Sequence, residues 1–373
     1  VATNADYEVD LWDEREGLFD AYEAIDGVDA SLNFQLKLAA AIERREPAAF
    51  VDSRQEARDH LRLLRLLGDG LAWRYLHPYV IRQLAKNPAP PPALGSQGKG
   101  FGDTLAVASE ITQAGGLVLI SDLTHCLRIG DLVVCNDPER PMLVECGGHP
   151  AYIHKGRKAR QMQRANAVLE LLRTGDATLA GDRLPTKTLA LSAPTEHTWP
   201  VVDRVVNNAA QNGFAYEYAS PSDLIFALDA DNGKVGLERL GGLTTSMSRP
   251  VIETYTRLLD RPSARTPPCT VWDISAESRV LVFQGGVIVG HVVDVDAFVG
   301  RCRHGATISK VLGAPKQIEG FGVSVNDEAV TASSEFLGDV LLGFATIEST
   351  AEAMLEGVLA AVAVLLPDRD IPH

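Results

Sequence analysis

At 373 residues, with 46% hydrophobic and 23% charged side chains, the chain carries enough apolar surface for a packed core, which excludes wholesale disorder. A formal net charge of −14 excludes nucleic-acid binding by bulk charge, so any such contact must come from a local patch. No apolar run reaches the roughly 18 residues of a membrane span; the longest, residues 355–366, is shorter and carries Glu356.

No basic-then-apolar leader opens the sequence, and its five cysteines lack paired spacing. Both features predict a protein of the reducing cytoplasm, with no membrane partner. Residues 1–92 form the first expected domain. Apolar residues recur at helical spacing in Leu32, Leu36, Leu38, Ala39 and Ile42, then in Leu61, Leu64, Leu67, Leu71 and Trp73. These predict a helical domain, with breaks at Asp26-Gly27 and Glu46-Pro47. The tract Asn87-Pro88-Ala89-Pro90-Pro91-Pro92, followed by Gly95, Gly98, Gly100 and Gly102, predicts a linker and a domain boundary.

Residues 93–230 form the second expected domain, an α/β core of order α-β-β-β-α-β with a mixed sheet. A helix is expected over 103–114, capped by Asp103 and stopped by Gly115-Gly116. Strands follow at 117–120, 127–135 and 141–146, the last two joined by the turn chemistry of residues 136–140. A helix over 155–173 closes at Gly175, then a strand is expected at 188–191, a helix at 199–211 and a strand at 223–228. Residues 231–373 form the third, a C-terminal α+β domain. Within it, strands at 279–283 and 287–295 flank Gly285-Gly286 as a hairpin, and an apolar helix spans 348–366.

Two acids interrupt otherwise apolar strands of the core, Asp131 and Glu145, on neighbouring arms of the expected hairpin. Strand alternation puts Asp131 with Val133 and Cys135, and Glu145 with Leu143. Two carboxylates converging on one face repel unless a cation or proton sits between them, and a hard divalent cation is the common solution. A second feature is local basicity. Lys155, Arg157, Lys158, Arg160 and Arg164 occur with no acid among residues 150–169, a patch suited to phosphates or to an acidic partner subunit. His125, Cys146, His149 and His154 lie near one another in sequence, with a spacing that matches no standard zinc pattern.

The element order, with Asp131 on the second strand and Glu145 on the third, resembles the core of the PD-(D/E)xK nuclease superfamily. The resemblance covers about residues 95–228. It implies that Glu110, on the helix before the sheet, assists Asp131 and Glu145 in holding Mg²⁺, with Mn²⁺ as a substitute. It also implies a glutamine or basic residue from the next helix facing the site, a description that Gln161 and its neighbours fit. The family's lysine, two residues after the glutamate, is replaced here by Gly147. Lys158, four residues before Met162 on the apolar stripe, is the expected substitute. The resemblance thus implies a metal-dependent endonuclease acting on nucleic acid, DNA ahead of RNA, with bacterial defence against foreign nucleic acid as the role shared by many relatives. The rival expectation is a catalytically inactive nuclease-fold module that binds nucleic acid, a partner subunit or a second copy of itself.

Overall fold

Leucine-rich helical periodicity from the start of the chain produces four helices: α1 (Asn4–Glu23), α2 (Gly27–Val51), α3 (Gln55–Tyr75) and α4 (Pro78–Leu84). The computed structural model describes residues 4–51, 55–85, 91–146, 157–177, 186–187, 196–231, 233–255, 267–300, 302–303, 305–314, 317–325, 328–333, 340 and 343–365. It is a mixed α/β protein that divides into two units. One comprises Val1–Thr188 with Leu259–Val271, the other Leu189–Leu258 with Trp272–His373. That division differs from the boundaries expected at 92 and 230.

In the first unit, Leu38, Ile42, Leu64, Leu67 and Leu71 are fully buried where α2 packs on α3. The break expected at Glu46-Pro47 does not occur, because α2 continues through Pro47. The reason is tertiary. Glu46 is 4% exposed and its carboxylate accepts from Arg65 Nη2 (3.1 Å), Leu94 N (2.9 Å) and Gly95 N (3.1 Å). Those bonds hold the helix at the residue before the proline, and Pro47 itself is exposed. The same bonds fasten Leu94 and Gly95, in the stretch expected to be a loose linker.

Helix α5 (Lys99–Gln113) begins earlier than the expected 103, with Gly98 rather than Asp103 at its N-cap. It buries Phe101, Thr104, Ala108 and Thr112, a helical stripe, and ends where expected, at Gly115 with φ +82°. Strands β1 (Val118–Ile120), β2 (Leu132–Val134) and β3 (Met142–Val144) then form an antiparallel sheet of that order. The mixed sheet of the expectation is not seen here: every described strand pairing is antiparallel.

The second strand is shorter than the expected 127–135. Residues 121–131 are apolar in part, yet three of their amides find partners on the helices. His125 N and Cys126 N donate to Asp69 on α3, and Arg128 N donates to Leu84 O on α4. Helix α6 (Arg157–Thr174) follows and stops at Gly175 as expected, with φ +74°. The two-residue strands β4 (Asp176–Ala177) and β5 (Thr186–Lys187) pair with each other. The strand expected at 188–191 lies outside the described residues.

The second unit holds α7 (Trp199–Asn212), β6 (Phe214–Ser220), β7 (Asp223–Asp229), α8 (Gly233–Leu243), β8 (Pro250–Thr254), α9 (Ala276–Gln284) and β9 (Val287–Asp294). Its first sheet runs β6-β7-β9-β8. The hairpin expected around Gly285-Gly286 is instead a helix followed by a strand. Ser275 caps α9 by accepting from Ser278 N, and Gly285 closes it at φ +79°. Capping outweighs the strand propensity of Val280-Leu281-Val282-Phe283. A second sheet, β10 (Cys302–Arg303), β11 (Ala306–Ala314), β12 (Gln317–Val325) and β13 (Glu328–Ser333), packs against α10 (Ile347–Leu365) through Phe321, Val323, Ala351, Met354 and Leu355. Among the described residues, no helix is long and apolar enough to cross a membrane.

The outer edge of β1 is closed by a side chain. Gln35 on α2, 2% exposed, donates from Nε2 to Val118 O (2.8 Å) and accepts at Oε1 from Ile120 N (2.8 Å), as a neighbouring strand would. Gln35→Met keeps the volume but strands a buried donor and a buried acceptor. It is expected to cost roughly 2–4 kcal/mol in urea unfolding. A loss below about 0.5 kcal/mol would show that the amide is dispensable.

Candidate functional site

Pairing of Leu132 with Val144 sets Asp131 and Glu145 one residue beyond, on facing arms of the β2–β3 pair. Both are half-buried, and Glu145 Oε1 is shielded from solvent. Asp131 also laces the arms together. Its amide donates to Val144 O (3.0 Å) and its Oδ2 accepts from Cys146 N (2.6 Å). The structure therefore brings together the two acids that the sequence singled out. Glu110 is an exposed residue of α5. No trio of His, Cys, Asp or Glu able to hold a metal occurs among the described residues, so Glu110 does not complete a three-acid group with the other two.

Arg157, Lys158, Arg160, Gln161 and Arg164 all lie on α6, and their side chains are outside the described ones. The helix buries Ala165, Val168 and Leu171. Lys155, Gly147, His149 and His154 lie outside the described residues altogether.

Three histidine–carboxylate pairs escaped sequence reasoning, because each joins residues 45 or more positions apart and no local pattern marks them. In the first, Asp69 Oδ1 accepts from His125 N (2.7 Å) and Cys126 N (2.9 Å), while Oδ2 meets His125 Nδ1 at 3.2 Å. Burial pushes the neighbouring Cys126 thiol well up, and the charge of Asp69 adds to this, so Cys126 is no thiolate nucleophile. Burial likewise raises Cys135.

In the second, Arg15 Nε donates to His60 Nδ1 (2.9 Å) and His60 Nε2 faces Glu14 Oε2 (3.3 Å), on which Arg45 Nε also closes at 2.9 Å. Burial pushes His60 below its ordinary 6.5, with Arg15 and Arg45 adding to the shift against the pull of Glu14. Burial opposes ionisation of Glu14, yet its bonds from His60 and Arg45 bring it below the ordinary carboxyl value. In the third, in the second unit, His291 is fully buried, with Nδ1 on Val340 O (2.8 Å) and Nε2 on Asp223 Oδ1.

Compared with models of known families, with curated proteins and with solved structures, the chain matches none.

The His60 network has a pH signature. Its folded-state value lies below the unfolded one, so the unfolded chain binds the extra proton and neutral His60 stabilises the fold above about pH 6.5. That contribution is lost as pH falls from 6.5 through the lower folded value. Tm should therefore drop between pH 7 and pH 5.5 in the wild type, and drop less in His60→Gln. Equal slopes would show that His60 does not titrate on unfolding.

Proposed function

We propose that the segment from α5 to α6 is the core of a nuclease-like, metal-dependent phosphodiesterase that acts on nucleic acid. The observation that carries this reading is the register of β2 and β3, which gathers Asp131 and Glu145 at one end of a small antiparallel sheet preceded by α5 and followed by α6. Two half-buried carboxylates side by side form an all-oxygen donor set. That set suits Mg²⁺ or Mn²⁺, which take one or two protein carboxylates and complete their shell with water and phosphate. Mg²⁺ bound there would offset charge on the phosphoryl oxygens and favour ionisation of a bound water.

The protein's own part is positional. Cys146 N fixes Asp131 Oδ2, which orients the carboxylate without a second charged group. Glu145 faces it from the other arm. With Gly147 at the family's lysine position, Lys158 on α6 is the proposed cation for the site, with Gln161 beside it. Arg157, Arg160, Arg164 and Lys155 would track the phosphate backbone. Glu110, exposed and outside any three-acid group, is proposed only to contact solvent-shell ligands of the ion.

A second reading keeps the fold without the catalysis, as a module that binds nucleic acid, a partner subunit or a second copy. The amide already committed to Asp131, together with the glycine at 147, supports it. Metal binding separates the two. A cation that binds only the folded chain at ten times its Kd adds about 1.4 kcal/mol of stability. Mg²⁺ or Mn²⁺ should then raise Tm by about 3 °C, and Asp131→Asn should abolish the rise. An unchanged melting curve at millimolar metal would remove the metal centre. Arg157→Ala with Arg160→Ala should weaken nucleic-acid binding and flatten its log Kd against log[salt] slope by about two. An unaltered slope would move the basic helix from nucleic acid to a protein partner.

A further inference from the structure

The Asp69–His125 pair is built into unusually close backbone contacts. Asp69 lies on α3 between Gly68 and Gly70. A Cβ at Gly68 would sit 2.1 Å from Leu123 O, and one at Gly70 would sit 2.3 Å from Thr270 Oγ1. The helix is bare on both sides of the acid: the loop of residues 121–131 presses onto it at Gly68, and Thr270 and Tyr22 do so at Gly70. The carboxylate then accepts two loop amides and the His125 ring, as three hydrogen bonds on two oxygens. Arg65 and Arg128 are near enough for the charge of Asp69 to act on both.

A carboxylate in that setting has no hydrogen to give. The hydrogen on the Asp69–His125 bond must therefore sit on Nδ1, which leaves the lone pair on Nε2. Nε2 makes no hydrogen bond among the described residues, and the His125 side chain is 13% exposed. The arrangement is a fixed tautomer with its basic nitrogen accessible to water.

The loop that carries His125 opens at the end of the sheet that bears the two acids. Ile120 pairs with Leu132, and Leu132 with Val144, so β1 ends, β2 begins and β3 ends on the same side. Ser121 N donates to Asp131 O (3.0 Å) across the mouth of the loop. The residues of loop 121–131 leave and re-enter the sheet where Asp131 and Glu145 stand.

We propose that His125, with Asp69 as its positioning residue, is the general base of the hydrolysis, an inference that rests on the phosphodiesterase reading above. Nε2 takes a proton from water as the water oxygen forms a bond to phosphorus. The bond from phosphorus to the leaving sugar oxygen breaks, that oxygen takes a proton from bulk water, and the imidazolium returns its proton to solvent. A base of this kind supplies the proton acceptor, while Lys158 remains the proposed cation in place of a lysine at 147.

The test uses the full chain with Mg²⁺ on single- and double-stranded DNA and RNA. His125→Gln should lower kcat by about 10²–10⁴-fold and erase the acid limb of the pH–rate profile, with the Mg²⁺-induced Tm rise retained. Asp69→Asn should lower kcat with little change in KM. Its amide would accept from the loop N–H groups and turn its NH₂ toward Nδ1, moving the ring hydrogen onto Nε2. Should either variant fail to fold, diethyl pyrocarbonate on the wild type gives the answer. His125 should be modified at Nε2, with cleavage lost and then restored by hydroxylamine.

An active wild type with His125→Gln within threefold of it, a persistent acid limb, or modified His125 with full activity overturns the base and leaves the phosphodiesterase reading standing. A wild type that binds Mg²⁺ and cleaves no nucleic acid overturns both.

Discussion

The buried contact between Glu46 and Arg65 holds the first unit together. The two residues are 4% and 7% exposed, and a charge pair so placed stabilises a fold only when its remaining hydrogen-bonding capacity is met. It is met by backbone. Glu46 takes the amides of Leu94 and Gly95, while Arg65 reaches Pro92 O at 3.4 Å and Asp122 O at 3.5 Å. One ion pair thereby fixes α2 to α3, residues 92–95 to both, and the turn after β1 to the same place. Removing either partner would leave the other buried and uncompensated, a cost of roughly 3–5 kcal/mol.

The sheet depends on the helices in the same way. Three strands of three residues cannot satisfy their own edges, so side chains from the helical layer act as substitutes for missing strands. Gln35 closes β1 on one side, and Asp69 receives the amides of the loop between β1 and β2. This is why the helical region and the small sheet form one unit, although the prolines between them suggested a boundary. Proline and glycine mark where regular structure stops. They do not mark whether the segment is held.

The same distinction decides what was legible in the sequence. Helical periodicity marked α2 and α3 within a helical region, and the Gly-stopped α5, α6 and α7 stood close to their expected spans, because local propensity and burial agree there. Asp131 and Glu145 were legible because two acids inside apolar strands are conspicuous, and the hairpin turn sets their register. Pro47, the shortened β2 and the helix over 276–284 were misread, each because a distant or capping hydrogen bond outweighed the local pattern. Gln35 and Asp69 were invisible for a related reason. A polar residue on an apolar helix face has no sequence signature when its partners lie 56 to 85 positions away.

The three histidine–acid pairs show how much chemistry depends on the second ring nitrogen. His60 is 1% exposed, with Arg15 on Nδ1 and Glu14 on Nε2, so both nitrogens are occupied in a structural knot. His291 is fully buried between Val340 O and Asp223 Oδ1, again with both nitrogens engaged. Neither ring has a nitrogen left open to an outside molecule. His125 differs in one respect, since its carboxylate partner occupies a single nitrogen and the ring reaches the surface. A carboxylate on one side orients an imidazole for work on the other, whereas partners on both sides convert it into a brace. Position in the fold reinforces the difference. The loop bearing His125 opens at the sheet end with the two acids, whereas His60 and His291 lie away from any surface.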